Sequence, residues 1–260
     1  MSGHSLRVVP VTAKRTRFWE VDLLRGFAFI LMVIYHGAFD LAVFGGWPIA
    51  VTSGAWRIFA DFIASLFLFV SGVSLVLARS RAAHDSRSYW WHVLRRSSRL
   101  AAAAALVTVV TWVISPRDVV LFGILHLILL SSLVALPLLR LGLWNLPLAA
   151  VAWLLGLLLA RLPGNPWLFW MGLVPADYRS FDFRPFLPWF ALVLLGVSAG
   201  SWLYPRGRRR WTFPSWEGVL PFSILIWLGR HSLMLYLIHQ PVLIMLFTSL
   251  GLINGRRLLG

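Results

Sequence analysis

Cysteine is absent from all 260 residues, which excludes disulfides, thiolate catalysis, cysteine-ligated metal and thioether-attached haem. Charge is scarce as well. Asp, Glu, Lys and Arg make up 13% of the chain, too little polar surface to clothe a water-soluble domain of this length. Acidic residues number 9 against 24 basic ones, and the basic ones flank apolar runs. There they set topology and meet lipid headgroups, so nucleic acid is not expected as a partner. Only one of the 24 is Lys, a bias expected of a GC-rich bacterial genome. The apolar runs lack period-two alternation, which argues against a transmembrane β-barrel. No internal repeat relates two halves of the chain, which weighs against a secondary transporter.

What remains is strongly apolar, 59% hydrophobic with a mean hydropathy of +0.79. Apolar runs fall near residues 23–44, 55–78, 98–115, 118–139, 146–161, 186–204 and 231–251. Runs of about 20 such residues are what an α-helix needs to cross a bilayer. The expected fold class is therefore an all-α integral membrane protein, a polytopic helical bundle of about seven transmembrane helices, with six or eight as alternatives. The stretch GVLPFSILIW, 218–227, is too short to cross and is expected at the interface ahead of the last span. Residues 1–17 read as a disordered basic lead to an uncleaved first span, 18–252 as the membrane domain and 253–260 as a short tail. With the N-terminus inside, 16 basic residues fall on the inner side and 7 on the outer, Arg25 lying within the first span. That bias favours N-in and C-out. The longest outer stretch, 162–185, carries Pro, Gly and aromatic residues suited to a lid over a cavity mouth.

The first span raises the functional question. Residues 22–41, DLLRGFAFILMVIYHGAFDL, set Asp22, Arg25, His36 and Asp40 in an otherwise apolar segment. On a helix with Arg25 at zero, His36 falls at about 20° and both Asp at about 60°, one narrow stripe. An ionisable group within the bilayer costs about 2.5–3.5 kcal/mol, so the stripe is expected to face protein or water. Asp22 and Arg25 near the inner boundary, and Asp40 near the outer headgroups, could simply snorkel. His36 lies about 12 Å below the outer end, where it is either a structural hydrogen-bonding group or a reactive one. Arg25 and His36 stand about 16.5 Å apart along the axis. An Arg at the inner face can grip a phosphate bidentately while a deeper His acts on the far end of a long substrate. That spacing suits an acyl-CoA entering from the cytoplasm.

The pattern EVDLLRG, a His eleven residues after its Arg, and then FDL resembles the bacterial membrane family related to the catalytic domain of heparan-α-glucosaminide N-acetyltransferase. The Arg-to-His spacing is also similar to that of type-3 membrane acyltransferases. The likeness continues through FLFVSGVSL (67–75), FGILHLILLSSLVALPLL (122–139), DFRPFLPWFALVLLGVSAG (182–200) and LGRHSLMLYLIHQPVL (228–243). The resemblance implies transfer of an acetyl or other acyl group from cytosolic acyl-CoA to a sugar or other amine or hydroxyl acceptor across the membrane. It casts His36 as the catalytic His and Arg25 as a contact on the CoA side. The co-substrate is then acetyl-CoA or another acyl-CoA, with no metal or haem, in a multi-pass protein of the bacterial plasma (inner) membrane. A homo-oligomer is left open.

His126 and Asp61, counted from their own span ends, fall in the same outer layer as His36, with Asp40 and Asp182 near the same mouth. A His beside carboxylates is oriented and made more basic, as a general base requires. Each could equally make an ordinary interhelical hydrogen bond. Asp40 and His126 are grouped with His36 as catalytic; Asp61, Asp182 and Trp189 are assigned to the acceptor. In the last span, Arg230 and His239 are assigned with Arg25 to the CoA side, while Ser232 and Tyr236 serve equally well as polar glue. Two other functions are open. His36, His126 and His239 could ligate haem, leaving Arg25 and the carboxylates unexplained, or the chain could move a polar lipid or sugar without chemistry. His36 could itself carry the acyl group or deprotonate the acceptor.

Overall fold

The computed structural model describes residues 17–81, 86–212 and 214–253. The expected disorder of the basic lead and nearly all of the C-terminal tail lie outside the described residues. Among the described residues the structure is helical: α1 (Trp19–Val43), α2 (Gly54–Arg81), α3 (Ser86–Ile114), α4 (Ile124–Leu138), α5 (Asn145–Leu159), α6 (Phe186–Leu203), α7 (Leu220–Arg230) and α8 (Ser232–Ser249). Long apolar runs take this form because lipid offers backbone groups no partner, so each helix must satisfy its own. Among the described residues six helical stretches are long and apolar enough to span a bilayer, namely α1, α2, α3, α6, α8 and Gly142–Leu159, which contains α5, and the chain is an integral membrane protein.

The run expected to be helical over 118–139 is shorter. Helix α4 begins only at Ile124 and has 15 residues, about 22 Å of rise. Its start is set from elsewhere in the chain, because the Asp182 carboxylate accepts the Ile124 N–H at 2.7 Å. Residues ahead of it stay non-helical because α3 satisfies their backbone. Thr108 Oγ1 donates to the Val120 carbonyl at 2.6 Å, and the Val120 N–H donates to Thr111 Oγ1 at 3.0 Å. Between α4 and α5 the chain turns at Gly142, φ 54°, and the buried Asn145 amide ties the Leu138 and Gly142 carbonyls.

Two glycine contacts place the helices. Gly72 on α2 faces Gly196 on α6 so closely that a Cβ on either would enter the other helix's backbone. The segments FVSG and LLGVSAG thus do what small residues at membrane interfaces do, letting backbones touch. Gly26 on α1 and Gly229 on α7 make the second such contact, with Gly26 against Leu225 and Gly229 against Asp22. The short α7 therefore runs antiparallel to α1 and packs on it. Leu68, Leu127, Val193, Leu194 and Val197 are buried in the core, whereas Leu24, Phe27, Ile30 and Ile34 stand exposed along the opposite side of α1 from its polar stripe.

Basic residues sort to the two ends of the bundle. Arg25, Arg96, Arg209 and Arg230 meet the start of α1 and the end of α2. At the other end Arg184 meets Asp61, and Leu252 reaches Gly45 beyond α1. The described chain thus starts at the arginine-rich end and finishes at the opposite one.

Candidate active site

One cavity of about 910 Å³ runs between α1, α2, α3, α4 and the start of α8. At the arginine-rich end its wall carries Arg25, Arg95, Arg96, Arg99 and Arg230; at the other it carries Arg57, Asp182 and Arg184, with His36 between. It therefore connects the two ends through the interior.

The arginine end is ordered by short side chains. Arg25 donates to Asp22 at 3.0 Å and to Ser74 at 2.6 Å, and Arg96 donates to Ser71 at 3.2 Å. Asp22 is shared, because Arg230 also approaches it at 3.5 Å and reaches Glu217 at 3.7 Å. Among the described residues Arg95, Arg96 and Arg99 have no carboxylate partner, so they present uncompensated positive charge to the cavity. In the sequence these three served only to orient the chain. The signal that singles them out is their position within α3, in line with the FVSGVS serines of α2.

His36 is held by its own helix. Its Nδ1 lies 2.9 Å from the Met32 carbonyl, an atom that can only accept, so Nδ1 carries the hydrogen and Nε2 keeps its lone pair. His239 repeats the arrangement, Nδ1 donating to the Tyr236 carbonyl at 2.6 Å, with Nε2 buried and without a partner among the described residues. The two rings meet edge to face with centroids 4.9 Å apart. His239 therefore stands with His36 rather than with Arg25 and Arg230. The edge contact leaves no slot for a porphyrin between these two rings.

Other expected members are placed elsewhere. Asp40, 0% exposed, accepts from the Gln240 amide and so ties α1 to α8; the group orienting His36 is a backbone carbonyl, not a carboxylate. His126 is engaged on both nitrogens, Nδ1 accepting from the Gly123 N–H at 3.3 Å and Nε2 meeting Thr108 Oγ1 at 3.3 Å. It pins the extended segment ahead of α4 and does not line the cavity. Asp182 does line it, at the start of α4; burial pushes its carboxyl upward, opposed by the Ile124 N–H and by nearby Arg184 and His126. Asp61 pairs with Arg184 and, at 3.6 Å, with Arg57. The Arg184 guanidinium lies 4.6 Å over the Trp189 ring, so Trp189 and Asp61 bear on the cavity through Arg184. The outer loop contributes residues 180–184 to the wall, with Phe169 and Tyr178 packed against Phe183 from behind.

A helical membrane bundle with an interior cavity joining an arginine cluster to an available imidazole belongs among the membrane proteins that carry a reactive site between their helices. The chain belongs to the heparan-alpha-glucosaminide N-acetyltransferase catalytic-domain family, whose model matches residues 17–241. This is a family of transmembrane acetyltransferases, which makes the general role enzymatic. Comparison with curated proteins and with solved structures gave no significant match. Among the described residues no group of three or more His, Asp or Glu side chains is placed to hold a metal ion.

Proposed function

We propose that the protein transfers an acetyl or other short acyl group from cytosolic acyl-CoA to an amine or hydroxyl acceptor, such as a sugar, on the far side of a bacterial plasma membrane. The observation that carries this reading is the continuity of the cavity from the arginine cluster past His36 to the opposite mouth. The arginine-rich end faces the cytoplasm by the charge bias of membrane insertion. There Arg25, Arg96 and Arg230 hold the CoA phosphates, for which planar guanidinium forks are the best match. The pantetheine arm lies along the apolar wall of Ile63, Phe67 and Leu100 and presents the thioester to His36.

His36 Nε2 is the reacting nitrogen, since Nδ1 is committed to Met32. In one route Nε2 bonds to the thioester carbon and the CoA thiolate leaves; the acceptor then takes the acyl group, its proton passing to the freed Nε2 and from there to the thiolate. In the other, Nε2 accepts the acceptor's proton as its nitrogen or oxygen attacks the thioester directly, and returns that proton to the departing thiolate. The acceptor enters at the mouth formed by Asp182 and Arg184, with Asp61 and Trp189 holding Arg184 in place. His126 and Asp40 serve as holding groups, and His239 belongs with the reacting centre.

The test is transfer in sealed vesicles, with labelled acetyl-CoA on the N-terminal side and glucosamine and hydroxylamine as trapped nucleophiles. Wild type is expected to deliver label across the membrane, and His36→Ala to lose at least 100-fold of the rate. A well-folded wild type that transfers no label from short or longer acyl-CoA would overturn the reading and favour movement of a polar lipid or sugar without chemistry.

A further inference from the structure

We infer that the Tyr236 hydroxyl is the hydrogen-bond donor that receives the charge developing on the acyl carbonyl oxygen, a catalytic role resting on the acyl-transfer reading above. Attack on a thioester moves the carbonyl π pair onto oxygen, and preorganised donors aimed at that oxygen are a large part of how such reactions are accelerated. Backbone N–H groups, the common donors, are not at hand around His36. The walls there are mid-helix stretches of α1, α2 and α8, whose N–H groups are committed within their own helices. The donor has to be a side chain.

Of the cavity-wall hydroxyls, those of Ser74, Tyr35 and Ser180 donate within the protein, whereas those of Ser97, Ser132, Ser232 and Tyr236 do not among the described residues; of these four, Tyr236 is the one whose ring reaches the His36–His239 pair. Ser74 donates to the Val70 carbonyl at 2.6 Å while accepting from Arg25, and Ser71 accepts from Arg96. Tyr35 donates to the Val51 carbonyl at 3.3 Å. Tyr236 differs. It packs against the cluster of Phe29 and Met32 of α1 with Ile63 of α2, and also against the cluster of Leu100, Ala103, Ala104 and Leu125; the Met32 carbonyl holds His36. Tyr236 also lies 5.5 Å from the His239 ring, which in turn touches His36. Its hydroxyl has no hydrogen-bond partner among the described residues, yet the residue lines the cavity and the oxygen is not sealed from it. A phenol packed among apolar side chains normally finds a partner. One left without, on the cavity wall and one ring removed from the reacting imidazole, has its O–H to give to a substrate.

The step balances without further reactants. As the nucleophile bonds to the carbonyl carbon, the oxygen takes the π pair and accepts the Tyr236 O–H as a hydrogen bond, with no proton transferred. The pair returns to re-form the carbonyl as the carbon–sulfur bond breaks, and the CoA thiolate leaves with the sulfur pair. The acceptor's proton finishes on that thiolate through His36. Tyr236 returns unchanged.

Tyr236→Phe tests this, because it removes one oxygen and keeps the ring packing. With the full chain in vesicles, acetyl-CoA and glucosamine, CoA release is expected to fall about 100-fold in kcat. The KM for acetyl-CoA should stay within about threefold, since the lost bond forms only in the transition state. Tyr35→Phe, which removes a hydroxyl already spent on Val51, is expected to stay within about twofold of wild type. Release by wild type with undiminished kcat in Tyr236→Phe overturns the inference and leaves the acyl-transfer reading standing. So does a Tyr236→Phe protein whose Tm falls while its rate per folded molecule is unchanged. No release by wild type overturns both.

Discussion

Substituting Gly229→Ala should separate substrate binding from chemistry. The new Cβ would overlap the Asp22 carbonyl of α1 and crowd the Gly26 N–H. That oxygen belongs to a helical backbone and has no free rotation, so α7 itself must move, by about 1.5 Å to restore ordinary contact. The Arg230–Asp22 approach of 3.5 Å is lost with that shift. Arg25 stays with Asp22 because both are on α1. The helix breaks at His231, φ −107° and ψ 12°, which separates α7 from α8, so His239 and Tyr236 keep their places. A charge-assisted contact to a CoA phosphate contributes about 1.5 kcal/mol, which corresponds to a rise of about tenfold in KM for acetyl-CoA, with kcat within about twofold. Overpacking also costs about 1–3 kcal/mol of stability, a fall of roughly 2–12 °C in Tm, readable from tryptophan fluorescence in detergent. Gly218→Ala is the control, since a Cβ there meets nothing within 4 Å. A Gly229→Ala protein with wild-type KM, or one that loses kcat instead, would refute the assignment of Arg230 to the binding end.

At the glycine contact between α2 and α6, Gly72→Ala and Gly196→Ala should each destabilise by about 1–3 kcal/mol. The double variant should cost at least about 1 kcal/mol less than the sum, because helices spread by one methyl accept the second more easily; additive shifts in Tm would sink this. Asp182→Ala should lower stability by about 1–2 kcal/mol through the uncapped start of α4, while Asp182→Asn, which keeps an acceptor oxygen, should lose less. The raised carboxyl of Asp182 gives this site a pH signature. Its contribution is present in full below about pH 4, the unfolded value, and is lost as pH rises through the higher folded one. Tm measured against pH should show that decline in wild type and not in Asp182→Asn; matching profiles would remove Asp182 as its source.

Composition and hydrophobic run length alone determined that this chain is a helical membrane protein, because a bilayer imposes one local solution on any long apolar segment. The stripe of Asp22, Arg25, His36 and Asp40 was legible for a similar reason: helical period is a local property, and charge on one face of a spanning helix must turn inward. Glycine contacts could be anticipated from FVSG and LLGVSAG, though not which helix each would meet. Tertiary structure decided the rest. The start of α4 depends on a carboxylate 58 residues away, so its length was not readable from residues 118–139. His239 and Arg230 are near neighbours in one sequence motif, yet the break at His231 and the parallel course of α1 and α8 set Arg230 on the cavity wall and His239 behind it against His36. Asp40 and His126, placed in one layer with His36 by counting, are bound instead to Gln240 and to Thr108 with Gly123. Counting along a helix gives depth. Which polar group a side chain finds at that depth is fixed only when the helices pack, because each buried donor and acceptor takes whatever partner the neighbouring helix presents.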